Sequence, residues 1–225
     1  MSDSQNIDST APAEHLADGS LAHLASMGRR QRRAAETRVR LFRCALQLFS
    51  ERGFPNVTVE DITEAADVGK GTFFNYFASK DHVLGVMAEI QLGKVAEAVA
   101  LAADGKQTIQ SVLHHLFLRA TEEPGRSPDL ARALISSFLA SEGVRKIIEH
   151  NMQKGRKMIA EVIAAGQQRG EIDPLLKKEK VAIQVLQTFM GTILIWSLHE
   201  KPALNVWIED SFQHFWRAIA VSGKE

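Results

Sequence analysis

Thr58 to Lys80, TVEDITEAADVGKGTFFNYFASK, constrains the fold of this chain more than any other stretch. Thr58 and Asp61 make an S/T-x-x-D/E box, which predicts a helix start. Val59, Ile62 and the Ala65-Ala66 pair then fall on one helical face. Asp67-Val68-Gly69 breaks that pattern, and Gly71 to Phe77 resumes it with Phe73 and Phe77 one turn apart. Two short helices around a tight turn form the corner that sets a recognition helix into a major groove.

The start of the second helix, Gly69-Lys70-Gly71-Thr72, carries two glycines where helix propensity disfavours them. Bare backbone there would let amides approach phosphates closely. Thr72 is short enough to touch a base edge or a thymine methyl, and Asn75 and Tyr76 add polar tips. Lys80 follows the expected cap Ser79, in a first turn where the helix dipole disfavours a cation. A DNA phosphate would account for it. A nucleotide-binding loop is excluded, because Gly71 stands directly after Lys70 and Glu64 stands where the first glycine of that motif belongs.

Thr58, Ile62, Ala65, Ala66, Val68, Lys70, Gly71, Thr72, Phe74, Phe77, Ser79 and Lys80 together resemble the DNA-binding domain of the TetR family of bacterial transcriptional regulators. Leu48-Phe49 followed by Arg52-Gly53-Phe54 is similar to the way that family ends its first helix. The resemblance covers roughly residues 35 to 85. Asp67 stands where glycine is common, and Asp tolerates a turn conformation nearly as well. Gly69 replaces a frequent serine or threonine, which removes one hydroxyl from the DNA surface. The resemblance implies DNA contacts from Arg38, Thr58, Lys70, Gly71, Thr72, Phe74, Asn75, Tyr76 and Lys80.

Upstream the composition shifts. Residues 1–28 are rich in Ser, Asp and Ala and read as a disordered tail, with no basic region leading into an apolar run as a secretory signal requires. From Arg29 to Arg43 there are seven arginines against one acid, Glu36, although the whole chain balances 27 basic with 27 acidic residues. The excess is a segregated patch leading into the helix-turn-helix, placed to track phosphates. An arm at Arg29 to Arg33 could also reach a minor groove. Val39, Phe42, Leu46 and Phe49 repeat at helical spacing and should pack on Ile62, Phe73 and Phe77. Cys44, the single cysteine, has no disulfide partner and reads as a small buried hydrophobe.

The remaining residues suffice for a second core and read as helical throughout. Helices are expected over Lys80–Ala103, Lys106–Thr121, Pro128–Ser141, Glu142–Arg169, Lys177–Glu200 and Leu204–Ala220, punctuated by Gly105, Pro124, Gly170, Pro174 and Pro202. Val181 to Leu198 is an uncharged run of 18 residues, but only 12 are apolar and Gln184 and Gln187 interrupt it. A helix within a globular bundle suits it better than a membrane span. Ile183, Met190 and Leu194, with Trp207, Phe215 and Ala218, make an apolar seam of the kind that marks a protein interface. The resemblance implies dimerisation through these last two helices as a four-helix bundle. Phe117, Phe138, Met152, Met158, Phe189 and Trp196 form a stripe that fits either plain core or a pocket. His114 or His115 could supply its polar tip. The resemblance weights this towards a pocket for a small apolar or aromatic effector.

Catalytic and metal signatures are missing: eight histidines show no HxxxH or HExxH spacing, and there is no cysteine pair, GxSxG elbow or Rossmann fingerprint. No cofactor and no metal are expected. The expected architecture is all-α, an N-terminal helix-turn-helix three-helix domain (29–80) plus a larger C-terminal helical bundle (81–222) for sensing and dimerisation. The expected function is a cytoplasmic, homodimeric, ligand-responsive repressor on a pseudo-palindromic double-stranded DNA operator, with no membrane partner. Two alternatives stay open: a constitutive regulator or activator, and a helical small-molecule-binding or enzymatic protein with a vestigial reader.

Overall fold

The computed structural model describes residues 29–199 and 201–221. The expected disordered tail at 1–28 lies outside the described residues. Nine α-helices are found among them, and no strand. In chain order they are α1 (Arg29–Arg52), α2 (Val59–Ala65), α3 (Lys70–Phe74), α4 (Lys80–Asp104), α5 (Ile109–Ala120), α6 (Pro128–Ala140), α7 (Glu142–Gln168), α8 (Lys178–Ser197) and α9 (Leu204–Ile219). Single 3-10 turns at Phe54–Asn56 and Pro124–Arg126 bridge α1 to α2 and α5 to α6.

Helix boundaries follow local chemistry. Thr58 and Asp61 form the complete capping box: the Asp61 amide donates to Thr58 Oγ1 at 3.1 Å and the Thr58 amide donates to Asp61 Oδ2 at 2.7 Å. Thr108, Ser127 and Ser141 cap α5, α6 and α7 through their hydroxyls. Gly105 closes α4 in the left-handed conformation at φ 77°, which glycine reaches without steric cost. The α2–α3 turn runs through Asp67 at φ 50°, so an aspartate does take the position where a glycine would be usual. Arg29 to Arg33 are the first turns of α1 rather than a flexible arm.

Two apolar clusters organise the chain. One gathers Leu41, Phe42, Ala45, Leu46 and Phe49 of α1 with Ile62, Phe73 and Phe77 of the corner, as the helical spacing anticipated. It runs on into Val83 to Ile90 of α4, Leu130 and Leu134 of α6 and Val144 of α7, so the core crosses residue 80 without a break. Cys44 is only half-buried at its edge, its thiol 3.5 Å from the Ala65 carbonyl. The second cluster joins the C-terminal halves of α4 and α7 to α5, α8 and α9. An isolated antiparallel bridge between Ile172 and Ala220 ties the end of α9 to the α7–α8 connection.

Helix α8 is long and apolar enough to cross a membrane by composition alone. Val181, Ala182, Val185, Ile193 and Trp196 are nevertheless packed into the second cluster. Its opposite face, Leu194, Ile195 and Leu198, is exposed, as is Val206 at the start of α9.

Candidate nucleic-acid interface and ligand cavity

The helix-turn-helix presents a mixed surface. Gly69 and Gly71 are exposed, and a Cβ built on either meets nothing within 4 Å. Neither has a positive φ, so intramolecular packing does not demand glycine at these two positions. Open space just there is what close approach of an external backbone requires. Lys70 and Asn75 are exposed, Thr72 is half-exposed, and Phe74 stands 49% exposed at the end of α3 although large and apolar. Tyr76 is half-buried against the reader core.

Several charged groups are engaged within the chain. Lys70 makes a short ion pair with Glu60, and that hydrogen bond holds the Glu60 carboxyl below the usual range. Any phosphate must draw Lys70 away from this carboxylate. The Thr58 hydroxyl is taken up by Asp61, whose carboxyl is likewise held low, first by the Thr58 hydroxyl and amide. Arg38 is half-buried with its guanidinium 6.0 Å from the centre of the Phe77 ring, and burial is the main influence lowering its pKa.

The Lys80 ammonium, expected at a DNA phosphate, is engaged within the chain. Its Nζ donates to the carbonyls of Phe54 at 2.9 Å, Val57 at 2.8 Å and Pro55 at 3.3 Å, and lies 4.6 Å from the centre of the Phe54 ring. These carbonyls belong to the 3-10 turn between α1 and α2. The cation in the first turn of α4 is thus accommodated by the carbonyl ends of another turn of the chain. Burial lowers its pKa.

An apolar cavity of about 180 Å³ lies between α4, α5, α6, α7 and α8. Phe117, Phe138, Met152 and Phe189 are on its wall, and among the described residues Gln91 and Asn151 are the only polar side chains there. Sequence reasoning missed both, since a lone amide on an amphipathic helix gives no signal. His114, His115, Met158 and Trp196 are not on its wall. His114 Nε2 instead meets Glu209 Oε2 at 2.6 Å, and Trp196 donates its indole N–H to the Pro202 carbonyl at 3.0 Å. His115 faces Glu97 at 3.7 Å. Hydrogen bonds from Gln213 and His114 hold the Glu209 carboxyl below its usual range. Behind Gln91 lies a buried ion pair, Lys94 Nζ to Glu123 Oε2 at 2.6 Å, which ties α4 to the end of α5.

The apolar seam is redistributed. Phe215 is buried at 7% exposure, its ring stacked 5.9 Å from Phe117, and belongs to the subunit core because the α9 face it occupies turns towards α5. Met190 lines the cavity, and Ile183 is half-buried beside an adjoining groove. Trp207 is half-buried and stacked 5.3 Å from His199. Leu194 and Ala218 do face outward, joined by Ile195, Leu198 and Val206.

A helix-turn-helix corner on a helical domain that encloses an apolar chamber is an architecture that suits a DNA-binding transcriptional regulator. Residues 41–87 match the family model described as bacterial regulatory proteins, tetR family. The chain is 50% identical over 56 residues to the regulator TcmR of Streptomyces glaucescens, a match that spans 25% of each protein. It is 26% identical over 176 residues to UidR of Escherichia coli strain K12, covering 74% of this chain and 85% of that one. The structure of Thermus thermophilus FadR, a TetR-family repressor solved in complex with lauroyl-CoA, aligns at a TM-score of 0.59. That alignment has 27% identity and covers 83% of this chain and 97% of FadR. These matches support the resemblance to the TetR family of bacterial transcriptional regulators. Members of this family bind DNA operators, act as dimers and bind small-molecule effectors.

Proposed function

We propose that this protein is a cytoplasmic, homodimeric repressor that leaves its operator when a small apolar molecule fills the α4–α8 cavity. One observation carries the reading. The wall of the cavity includes Leu84, Met87, Gln91 and Val95 of α4, while the first residue of that same helix clamps the Phe54–Val57 turn of the reader. A ligand that moves α4 must move the reader with it. The reader is assigned to residues 29–80 and the sensing and dimerisation unit to the helices beyond.

On DNA, the exposed glycine-bounded start of α3 approaches the phosphates. Lys70 changes partner from Glu60 to a phosphate, while Thr72, Asn75 and Phe74 face base edges. Arg29, Arg30, Arg33, Arg40 and Arg43 are exposed along α1 and supply the sequence-independent attraction. Two readers related by a dyad through α8 and α9 bind half-sites about 34–36 Å apart, hence a pseudo-palindrome. Ligand and DNA then oppose each other reciprocally, with a coupling of about 1–3 kcal/mol.

The test is footprinting on the DNA flanking the gene, followed by titration of the protein–operator complex with compounds that raise the melting temperature. Release of the operator at stoichiometric ligand is the expected outcome. A compound shown to occupy the cavity that leaves operator affinity unchanged refutes sensing of that compound. Operator binding that no cavity ligand alters favours the constitutive regulator.

A further inference from the structure

We infer that the mouth of the cavity is an anion site, so that the effector is an amphiphile. Its apolar tail enters the chamber and its phosphate or carboxylate head stays in the adjoining groove at the half-buried Arg156, with Arg145, about three turns away along α7, adding its positive field. This rests on the reading of the cavity as the effector site and adds the chemical class of the ligand.

Three residues on the cavity wall, Ile148 and Met152 of α7 and Leu186 of α8, also line a groove of about 370 Å³ between those two helices. The chamber and the groove therefore share a wall. Around the groove stand Arg145, Glu149, Gln153 and Arg156 of α7, with Gln187 of α8 opposite. Arg145, Glu149, Met152 and Arg156 follow one another at helical spacing, so a single face of α7 carries both arginines and the apolar threshold between them.

These arginines are not spent on the fold. Arg156 is half-buried yet makes no hydrogen bond or ion pair among the described residues. Arg145 donates only to the Leu139 carbonyl, at 3.3 Å. Glu149 forms no ion pair with either, whereas nearby Glu142 and Lys146 pair at 2.7 Å. Two guanidiniums against one carboxylate leave an excess positive charge with unused donors in a fork suited to phosphate or carboxylate.

The chamber itself cannot take a charged head. Gln91 and Asn151 are its only polar side chains among the described residues, and the Gln91 amide already donates to the Ala120 carbonyl and to Glu123. An anion drawn inside would lose hydration without gaining a cation. At about 180 Å³ the chamber is similar in size to the roughly 150 Å³ cavity that takes benzene. It suits a ring or several methylenes, and the groove holds the rest of the molecule.

The experiment is calorimetric titration of the full-length protein with three probes of one chain length: octyl phosphate, octanoate and 1-octanol. At least one anion should bind about tenfold more tightly than the alcohol, as charge-assisted hydrogen bonds at a partly exposed site would give. The tighter of the two anions names the head group. Arg145→Ala and Arg156→Ala should each lower affinity for that anion, and Glu149→Gln should raise it. None of the three should move the affinity for octanol, which also reports that the variants are folded. Octanol binding as tightly as both anions would overturn the anion site while leaving the cavity reading intact. An anion advantage that survives the double Arg145→Ala, Arg156→Ala variant would do the same. Failure of all three probes to bind would overturn both.

Discussion

Lys80→Met separates a structural clamp from a DNA contact at a single atom. Methionine keeps the unbranched stem against the Phe54 ring and removes only the ammonium. Three donated hydrogen bonds are lost, two of them at 2.8–2.9 Å. A hydrogen bond to a charged group contributes about 1.5–3 kcal/mol when well formed. The side chain is only partly buried, and burial itself disfavours the ammonium, which lowers its pKa. The Phe54 carbonyl is not orphaned, because the Val57 amide still donates to it at 3.4 Å. A net loss of about 2 kcal/mol is expected, which for a chain of this length lowers Tm by about 4–8 °C. The salt dependence of operator binding should be unchanged, since no phosphate neutralisation is lost. Calorimetry at fixed protein concentration and binding across a salt series read the two quantities. An unchanged Tm with a salt slope reduced by about one would refute the clamp and restore Lys80 as a phosphate ligand.

Gly71→Ala should leave Tm equal or slightly higher, since its Cβ meets nothing within 4 Å and alanine favours helix, yet weaken operator binding at least tenfold. Full operator affinity in that variant would remove the close-approach role of this glycine. Leu198→Glu, at a position 66% exposed, should give a folded monomer in sedimentation that loses the operator, because a single reader makes half of the contacts. Lys94→Met should cost about 3–5 kcal/mol in urea unfolding by stranding the buried Glu123 carboxylate, and Lys94→Met with Glu123→Leu should recover most of it. The Asp61 and Glu60 carboxyls are both held below their unfolded values. Their stabilisation is therefore present above about pH 4 and is lost as pH falls through the folded values. Urea midpoints of wild type and Asp61→Asn should converge on acidification, and a difference that grows instead would contradict the capping box as its source.

What the sequence determined by itself is local. The Thr58–Asp61 box, the glycine stop at Gly105 and the helical spacing of Val39, Phe42, Leu46 and Phe49 depend on neighbours within four residues. These place the helices to within a few residues and reveal the helix-turn-helix. The two glycines that open α3 were legible for the same reason. Tertiary structure alone decided which side chain meets which across long separations. Lys80 finds carbonyls 23 to 26 residues away, and His114 finds Glu209 95 residues away. Helices α8 and α9 are apolar on more than one face, so composition could not say that Phe215 turns inward while Leu198 faces out. The neighbouring elements choose the face, because only one orientation fills the space beside Phe117. The cavity is likewise what five helices leave between them when their side chains do not fill it, and no single helix carries its signature.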